Sequence, residues 1–304
     1  LMPKAFVFNE YGGPQVQALV DVPKPASSPG QLVVAVRAAG VNPVDWKIRE
    51  GYLRDFVPIT PPVVPGSELA GVVEEVGEGV EGFATGDEVF GGRMLGAFAE
   101  YAVVPADALA PKPPAVSFTT AATLPIAAGA AYDALDQLDL APGQTLLILG
   151  AGGGVGTAAT QLARSRGINV IGTASEQKRD LVETLGAVHV VYGEDVVDRI
   201  RVLAPHGVDA ILDLVGPPDV ERTAELLTER SKLMTTVDPA TASKLGGTSV
   251  QRVLTGERYA ILAKLAEEGV LDPIVKTLPL ERAAEALAEL QNGHAKGKLV
   301  LEVT

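Results

Sequence analysis

The chain has 304 residues, 47% hydrophobic and 21% charged, which is an ordinary globular balance at a length that accommodates two domains. It holds no cysteine and three histidines, which excludes a disulfide scaffold, a thiolate nucleophile, a zinc finger and an iron–sulfur cluster. Lys and Arg total 25 against 38 Asp and Glu, and a net charge of −13 argues against a nucleic-acid or anionic-membrane partner.

No uninterrupted apolar run reaches the ~18 residues of a membrane span. The opening Leu1-Met2-Pro3-Lys4 lacks the charged-then-apolar build of a secretory leader. Leu1 is set aside, and the cytosol is the default compartment.

The first third reads as β-rich. Residues 32–38 form a short run rich in β-branched side chains, bounded by Pro29-Gly30 and Gly40. Residues 71–77, 88–91 and 97–104 have similar composition. Short strands punctuated by Gly and Pro predict a small barrel-like β domain. Residues 119–138 are Ala-rich with helical spacing. From there strands alternate with helices: strands at 145–149, 169–174, 188–192, 208–214 and 232–236, with helices at 155–166 and 177–185. That alternation predicts a doubly wound parallel sheet. A helix ends near 268, a strand covers 273–277, an amphipathic helix covers 280–291, and 298–303 is a final strand. His189 falls in a strand and His206 in a turn. Neither has a metal-site setting.

Between the first two alternating strands and helices stands Leu149-Gly150-Ala151-Gly152-Gly153-Gly154-Val155-Gly156. A side chain in such a turn blocks a pyrophosphate from the backbone N–H groups and from the helix N-terminus. Gly153 lets the backbone approach the phosphates, with Gly154 and Val155 opening the helix. Gly156 lets that helix pack closely on the sheet. Ala151 stands where the dinucleotide fingerprint has its first glycine. No Gly-Lys-Ser/Thr follows, so a phosphate-loop NTPase is excluded.

The tip of the next strand, Gly172-Thr173-Ala174-Ser175, carries no acid for a ribose 2′-OH. Ser175, Lys178 and Arg179 suit a 2′-phosphate instead, so NADPH is the expected cofactor, with Glu176 as the one opposing feature.

Taken in order, several segments resemble the medium-chain dehydrogenase/reductase superfamily, in its zinc-free quinone oxidoreductase (zeta-crystallin-like) branch. They are Ala39-Gly40-Val41-Asn42-Pro43-Val44-Asp45, Pro65-Gly66-Ser67-Glu68-Leu69-Ala70-Gly71, Thr85-Gly86-Asp87-Glu88-Val89, the glycine cluster, and Gly297-Lys298-Leu299-Val300-Leu301. The resemblance implies an α/β protein with two domains: a GroES-like β-barrel catalytic domain over 1–126 and 267–304, and a Rossmann domain over 127–266. Zinc-dependent relatives carry Cys and His where this chain has Asn42 and Ser67, so no metal is expected. An electrophilic substrate, a quinone or an α,β-unsaturated carbonyl, would then take hydride directly.

By resemblance, Asn42 faces the nicotinamide, or else only makes a turn before Pro43. Tyr52 donates a proton or walls the pocket, and Asp45 orients the loop. Trp46 lines the cleft or fills a core gap. Tyr192 meets the adenosine 2′-phosphate or is a plain strand-end aromatic, and Val215 lies along the cofactor. Two departures bear on the substrate: Ala130 replaces a threonine, and 239–248 is abbreviated. The resemblance also implies a homodimer paired through an edge strand at 249–254. An enoyl-thioester reductase and a non-catalytic NADPH-binding or redox-sensing protein remain as alternatives.

Overall fold

A computed structural model describes residues 2–92 and 95–304, so Leu1 lies outside the described residues. The chain divides into two compact units: Leu1–Ile126, Leu254–Gly269 and Val275–Thr304 in one, Ala127–Val253 and Val270–Ile274 in the other.

The first unit begins with an antiparallel pair, β1 (Lys4–Phe8) and β2 (Gln17–Asp21), in which Lys4 lies opposite Asp21. The apolar run read at 32–38 is the middle of β3 (Gln31–Val41), eleven residues long and almost wholly buried. α1 (Pro43–Arg49) follows at once. Pro43 has the fixed φ suited to a first turn, and Asp45 accepts the Asn42 N–H at 2.7 Å. β4 (Glu68–Val76) pairs antiparallel with β3, with register shifts at Val33/Val34 and Val36/Ala38 that bend the strand. β5 (Glu88–Gly91), β6 (Tyr101–Pro105) and β7 (Leu109–Pro111) complete this stretch. The expected strand at 97–104 therefore forms only from 101. α2 (Phe118–Ala121) is capped by Ser117, whose Oγ accepts the Thr120 N–H at 3.1 Å.

The second unit opens with α3 (Gly129–Leu138) and then alternates strictly. The order is β8 (Thr145–Leu149), α4 (Gly154–Ser165), β9 (Asn169–Ala174), α5 (Arg179–Thr184), β10 (Val188–Val191), α6 (Val196–Leu203), β11 (Ala210–Asp213), α7 (Asp219–Thr223), β12 (Leu233–Thr235), α8 (Pro239–Lys244) and β13 (Thr248–Ser249). All six strands are parallel, in the order β10-β9-β8-β11-β12-β13. Leu147, Ile171, Ile211 and Leu233 lie in register across the sheet and are buried. Strands covered on both faces are continuous apolar runs, which is the composition these segments have. The chain starts at β8, runs outward to β10, then crosses to β11 on the other side. The direction of winding thus reverses between β8 and β11, where open parallel sheets place their ligand crevice.

The chain returns to the first unit with α9 (Gly256–Glu267), β14 (Val275–Pro279), α10 (Ala283–Gln291) and β15 (Lys298–Glu302). The sheet order there is β14-β15-β3-β4-β5-β7, with β6 also on β3. One expected boundary needs correcting. Residues 254–266, expected with the dinucleotide unit, group with the first unit. The reason is Tyr259, wholly buried, whose ring lies 6.3 Å from that of Phe90 and whose hydroxyl donates to the Gly92 carbonyl at 3.0 Å. Residues 270–274 group with the second unit, where the Gln161 side chain bonds the Asp272 backbone at both its N–H and its carbonyl. Among the described residues, no helix is long and apolar enough to cross a membrane.

Tyr259→Phe leaves the Gly92 carbonyl without this donor in a dry setting. We expect a loss of about 1–2 kcal/mol, read by urea unfolding, with secondary structure unchanged.

Candidate cofactor and active site

The glycine cluster forms the turn from β8 into α4. Gly150 has a φ of 95°, a conformation that L side chains rarely adopt. The turn is tied to the neighbouring strand: Ala151 N–H donates to the Thr173 carbonyl at 2.8 Å, and Gly150 N–H donates to Thr173 Oγ1 at 3.1 Å. A Cβ on Gly156 would fall on the Gly150 carbonyl oxygen, so α4 packs this closely only with glycine there. Gly153 precedes the helix in an extended conformation, and a Cβ there would meet nothing within 4 Å. The turn is therefore open over Gly153, Gly154 and Val155, at a helix N-terminus whose first N–H groups have no intrahelical acceptor. Ala151 is buried, its methyl directed at β9, where a Cβ on Gly172 would stand 2.5 Å from it. Val215, after β11, is 41% exposed, and its Cγ1 lies 2.9 Å from where a Cβ on Gly150 would sit. The reversal of winding thus brings Val215 to the glycine turn.

At the tip of β9, Ser175 is half-buried, and its side chain makes no capping bond. The Lys178 stem crosses the glycine turn, with Cδ 2.5 Å from the Cβ position of Gly152. Arg179 differs from the expectation of an open cation. Its Nε and Nη2 donate to the two carboxylate oxygens of Glu176 at 2.7 and 2.9 Å, and Nη1 reaches Glu183 at 3.4 Å. Tyr192 is half-buried beside this tip. Burial pushes its phenol pKa up, against a hydrogen bond with Thr173. His189 is buried, and its Nε2 lies 3.0 and 3.2 Å from the carbonyls of Ala174 and Ser175. Two carbonyl acceptors require the proton on Nε2.

In the first unit, Asn42 is 4% exposed and bonded through both ends of its amide. Its Nδ2 donates to Glu68 Oε1 at 2.8 Å, and its Oδ1 accepts from Lys298 Nζ at 2.8 Å. Its amide is therefore held between two buried charges, which use its oxygen and one of its two Nδ2 hydrogens and leave the second N–H outside these bonds. Lys298 also bonds Glu68 at 2.6 Å and the Val41 carbonyl at 3.2 Å. Glu68 Oε2 accepts the Ile126 N–H at 2.8 Å. Asp45 accepts from Asn42 N–H and, at 3.3 Å, from Ser67 Oγ. Its burial pushes the carboxyl pKa up to about 7, against the pull of the Asn42 N–H and of the Lys298 charge. Glu68 and Lys298 stand within the family's sequence motifs, with no site role expected of either. A lysine inside a buried strand is the signal that points to them. Tyr52 is 64% exposed, edge-on to Trp46 with ring centroids 5.8 Å apart. A hydrogen bond to Glu50 raises its phenol pKa. Ala130 is buried on α3.

A glycine turn at the switch point of a parallel sheet, in one chain with a largely antiparallel β unit, defines a dinucleotide-type dehydrogenase/reductase. The family model for an alcohol dehydrogenase GroES-like domain matches residues 28–114, and that for a zinc-binding dehydrogenase matches 154–259. A chloroplastic quinone oxidoreductase of Triphysaria versicolor is 32% identical over 98% of both chains. The quinone oxidoreductase of Mus musculus is 34% identical over 96% of this chain and 95% of its own. The NADPH-complexed quinone oxidoreductase of Escherichia coli superposes with a TM-score of 0.89 at 27% identity, over 98% of this chain and 99% of that one. The chain belongs to the medium-chain dehydrogenase/reductase superfamily, in its zinc-free quinone oxidoreductase branch.

Two outcomes follow from the buried network. Lys298→Met strands the Glu68 charge and lowers stability by about 3–5 kcal/mol in urea unfolding, with Glu68→Gln in the same chain restoring part of it. Asp45 holds its proton more tightly folded than unfolded. Stability therefore falls as pH rises from the ordinary 3.8 through about 7. Asp45→Asn removes that fall, read as a flatter unfolding midpoint between pH 5 and 8 (a range spanning the shifted value).

Proposed function

We propose that this chain is an NADPH-dependent, zinc-independent reductase that delivers hydride to a quinone or an α,β-unsaturated carbonyl. The observation that carries this is the glycine turn, open over Gly153 at the switch point of the parallel sheet. The full-length likeness to quinone oxidoreductases, and to an Arabidopsis thaliana protein named as an NADPH-dependent alkenal/one oxidoreductase, supports the chemistry.

When bound, the nicotinamide supplies the hydride. The backbone of Gly153, Gly154, Val155 and Gly156 receives the pyrophosphate, with Ala151 and Val215 along the cofactor. Ser175 and Lys178 hold the 2′-phosphate, flanked by Tyr192, with Arg179 next to them on its ion pair with Glu176. The donor set at Asn42, Ser67 and Lys298 consists of an amide, a hydroxyl and an ammonium, a poor match to zinc. Activation of the substrate carbonyl then falls to hydrogen-bond donors. Asn42 acts as a positioning residue for its loop. Tyr52, exposed and protonated at neutral pH, supplies the proton or walls the pocket with Trp46, and water is the other proton source. We place this activity in the cytosol, in a homodimer paired through the sheet edge at β13. That strand ends at Ser249 rather than running over the expected 249–254, because the backbone N–H groups of Gln251 and Val253 turn to the side chains of Gln137 and Asp133.

Oxidation of NADPH, followed at about 340 nm, tests the reading. Turnover is expected with para-benzoquinone, phenanthrenequinone or a simple enone. Turnover of crotonyl-CoA alone would make it an enoyl-thioester reductase. Tight NADPH binding with no turnover of any of them would make it a non-catalytic binder. Lys178→Glu is expected to weaken NADPH by about tenfold while leaving NADH nearly unchanged.

A further inference from the structure

The tip of β9 carries a charge arrangement that the NADPH reading leaves unused. Residues 175–183 hold two cations, Lys178 and Arg179, and three carboxylates, Glu176, Asp180 and Glu183, which is 2 − 3 = −1. A segment expected to receive a dianionic phosphate is thus itself net negative. Its most phosphate-adapted group is already occupied. The guanidinium of Arg179 meets Glu176 as a fork, through Nε at 2.7 Å and Nη2 at 2.9 Å, with Nη1 turned to Glu183. That fork is the geometry with which Arg grips a phosphate, and it cannot grip both at once.

The turn that carries Glu176 is well fixed. Lys178 N–H donates to the Ser175 carbonyl at 3.0 Å. From below, the buried His189 donates Nε2–H to the carbonyls of Ala174 and Ser175. Glu176 is therefore held one residue from the Ser175 hydroxyl. The ion pair itself is weak, because the Arg179 and Glu176 side chains are 40% and 61% exposed. Its weight lies elsewhere: a ligand phosphate must both displace the carboxylate and sit beside it. A ribose 2′-OH meets no such penalty and can donate to Glu176.

We infer that Glu176 is the residue that sets cofactor preference in this chain, by occupying the Arg179 fork that a 2′-phosphate would otherwise recruit. The inference rests on the NADPH reading above. Wild-type discrimination is then limited to what Ser175 and Lys178 provide, and Arg179 is held in reserve.

A double-mutant cycle on the full chain tests this, with NADPH and NADH dissociation constants read by nicotinamide fluorescence. Glu176→Gln is expected to raise the NADPH-over-NADH preference by about tenfold, mainly through tighter NADPH. Arg179→Met alone should change the wild-type preference by less than about twofold. In the Glu176→Gln background, the same Arg179→Met should abolish the gain. The inference is overturned if Glu176→Gln leaves the preference unchanged. It is equally overturned if Arg179→Met costs as much NADPH preference in the wild-type chain as in the Glu176→Gln background, because Arg179 would then already hold the phosphate. If the wild-type chain binds neither nucleotide, it is the cofactor reading that fails, a result distinct from both.

Discussion

A buried ammonium organises the first unit. Lys298 lies on β15 with its side chain 5% exposed, against a Glu68 side chain that is 0% exposed. Charges taken this far from water are costly unless every donor and acceptor is met. Here they are met. The ammonium's three donors go to Glu68, Asn42 and the Val41 carbonyl, and the second Glu68 oxygen takes the Ile126 N–H. One pair thus ties the last strand to the end of β3, the start of β4 and the chain at 126. It also fixes which way the Asn42 amide faces, since a flipped amide would set NH2 against NH3+. Gly40 belongs to the same constraint, because a Cβ there would land on the Glu68 carboxylate and the Ala122 carbonyl.

The features legible in the sequence are those whose cause is local. β8 and β9 run over the expected 145–149 and 169–174, because a strand buried on both faces must be a continuous apolar run. The glycine cluster is legible for a similar reason: the turn's geometry and the close packing of α4 each leave room for one residue type. The hairpin of β1 and β2 was not anticipated, although each strand carries a short apolar run, residues 5–8 in β1 and 18–20 in β2. The place of α9 depends on one tyrosine reaching a carbonyl 167 residues away in sequence. Asn42 belongs with these. Its type and loop were readable, but its two partners lie 26 and 256 residues along the chain. The Arg179 pairing differs, because Glu176 and Glu183 stand three and four residues from it, the spacing at which helical side chains meet. That spacing is present in the sequence, where Glu176 was read only as a feature opposing a 2′-phosphate.

The net charge of −13 now has a more specific meaning. An acidic chain could receive an anionic cofactor by gathering cations at one spot, but the tip of β9 carries −1 rather than a surplus of positive charge. The alternative is recognition by groups that carry no net charge. Backbone N–H groups at the start of α4 are such groups: their dipoles add toward an anion at short range and do not depend on the sum of side chains. Distant carboxylates are screened over about 8–10 Å at physiological salt, so they weigh little on a phosphate seated at the glycine turn. Carboxylates on the same turn are not screened in this way. The pyrophosphate and the 2′-phosphate therefore face different physics in one protein. The first is governed by backbone geometry, which the glycines hold open. The second is governed by a handful of side-chain charges within a few ångströms, where a single carboxylate such as Glu176 can shift the balance.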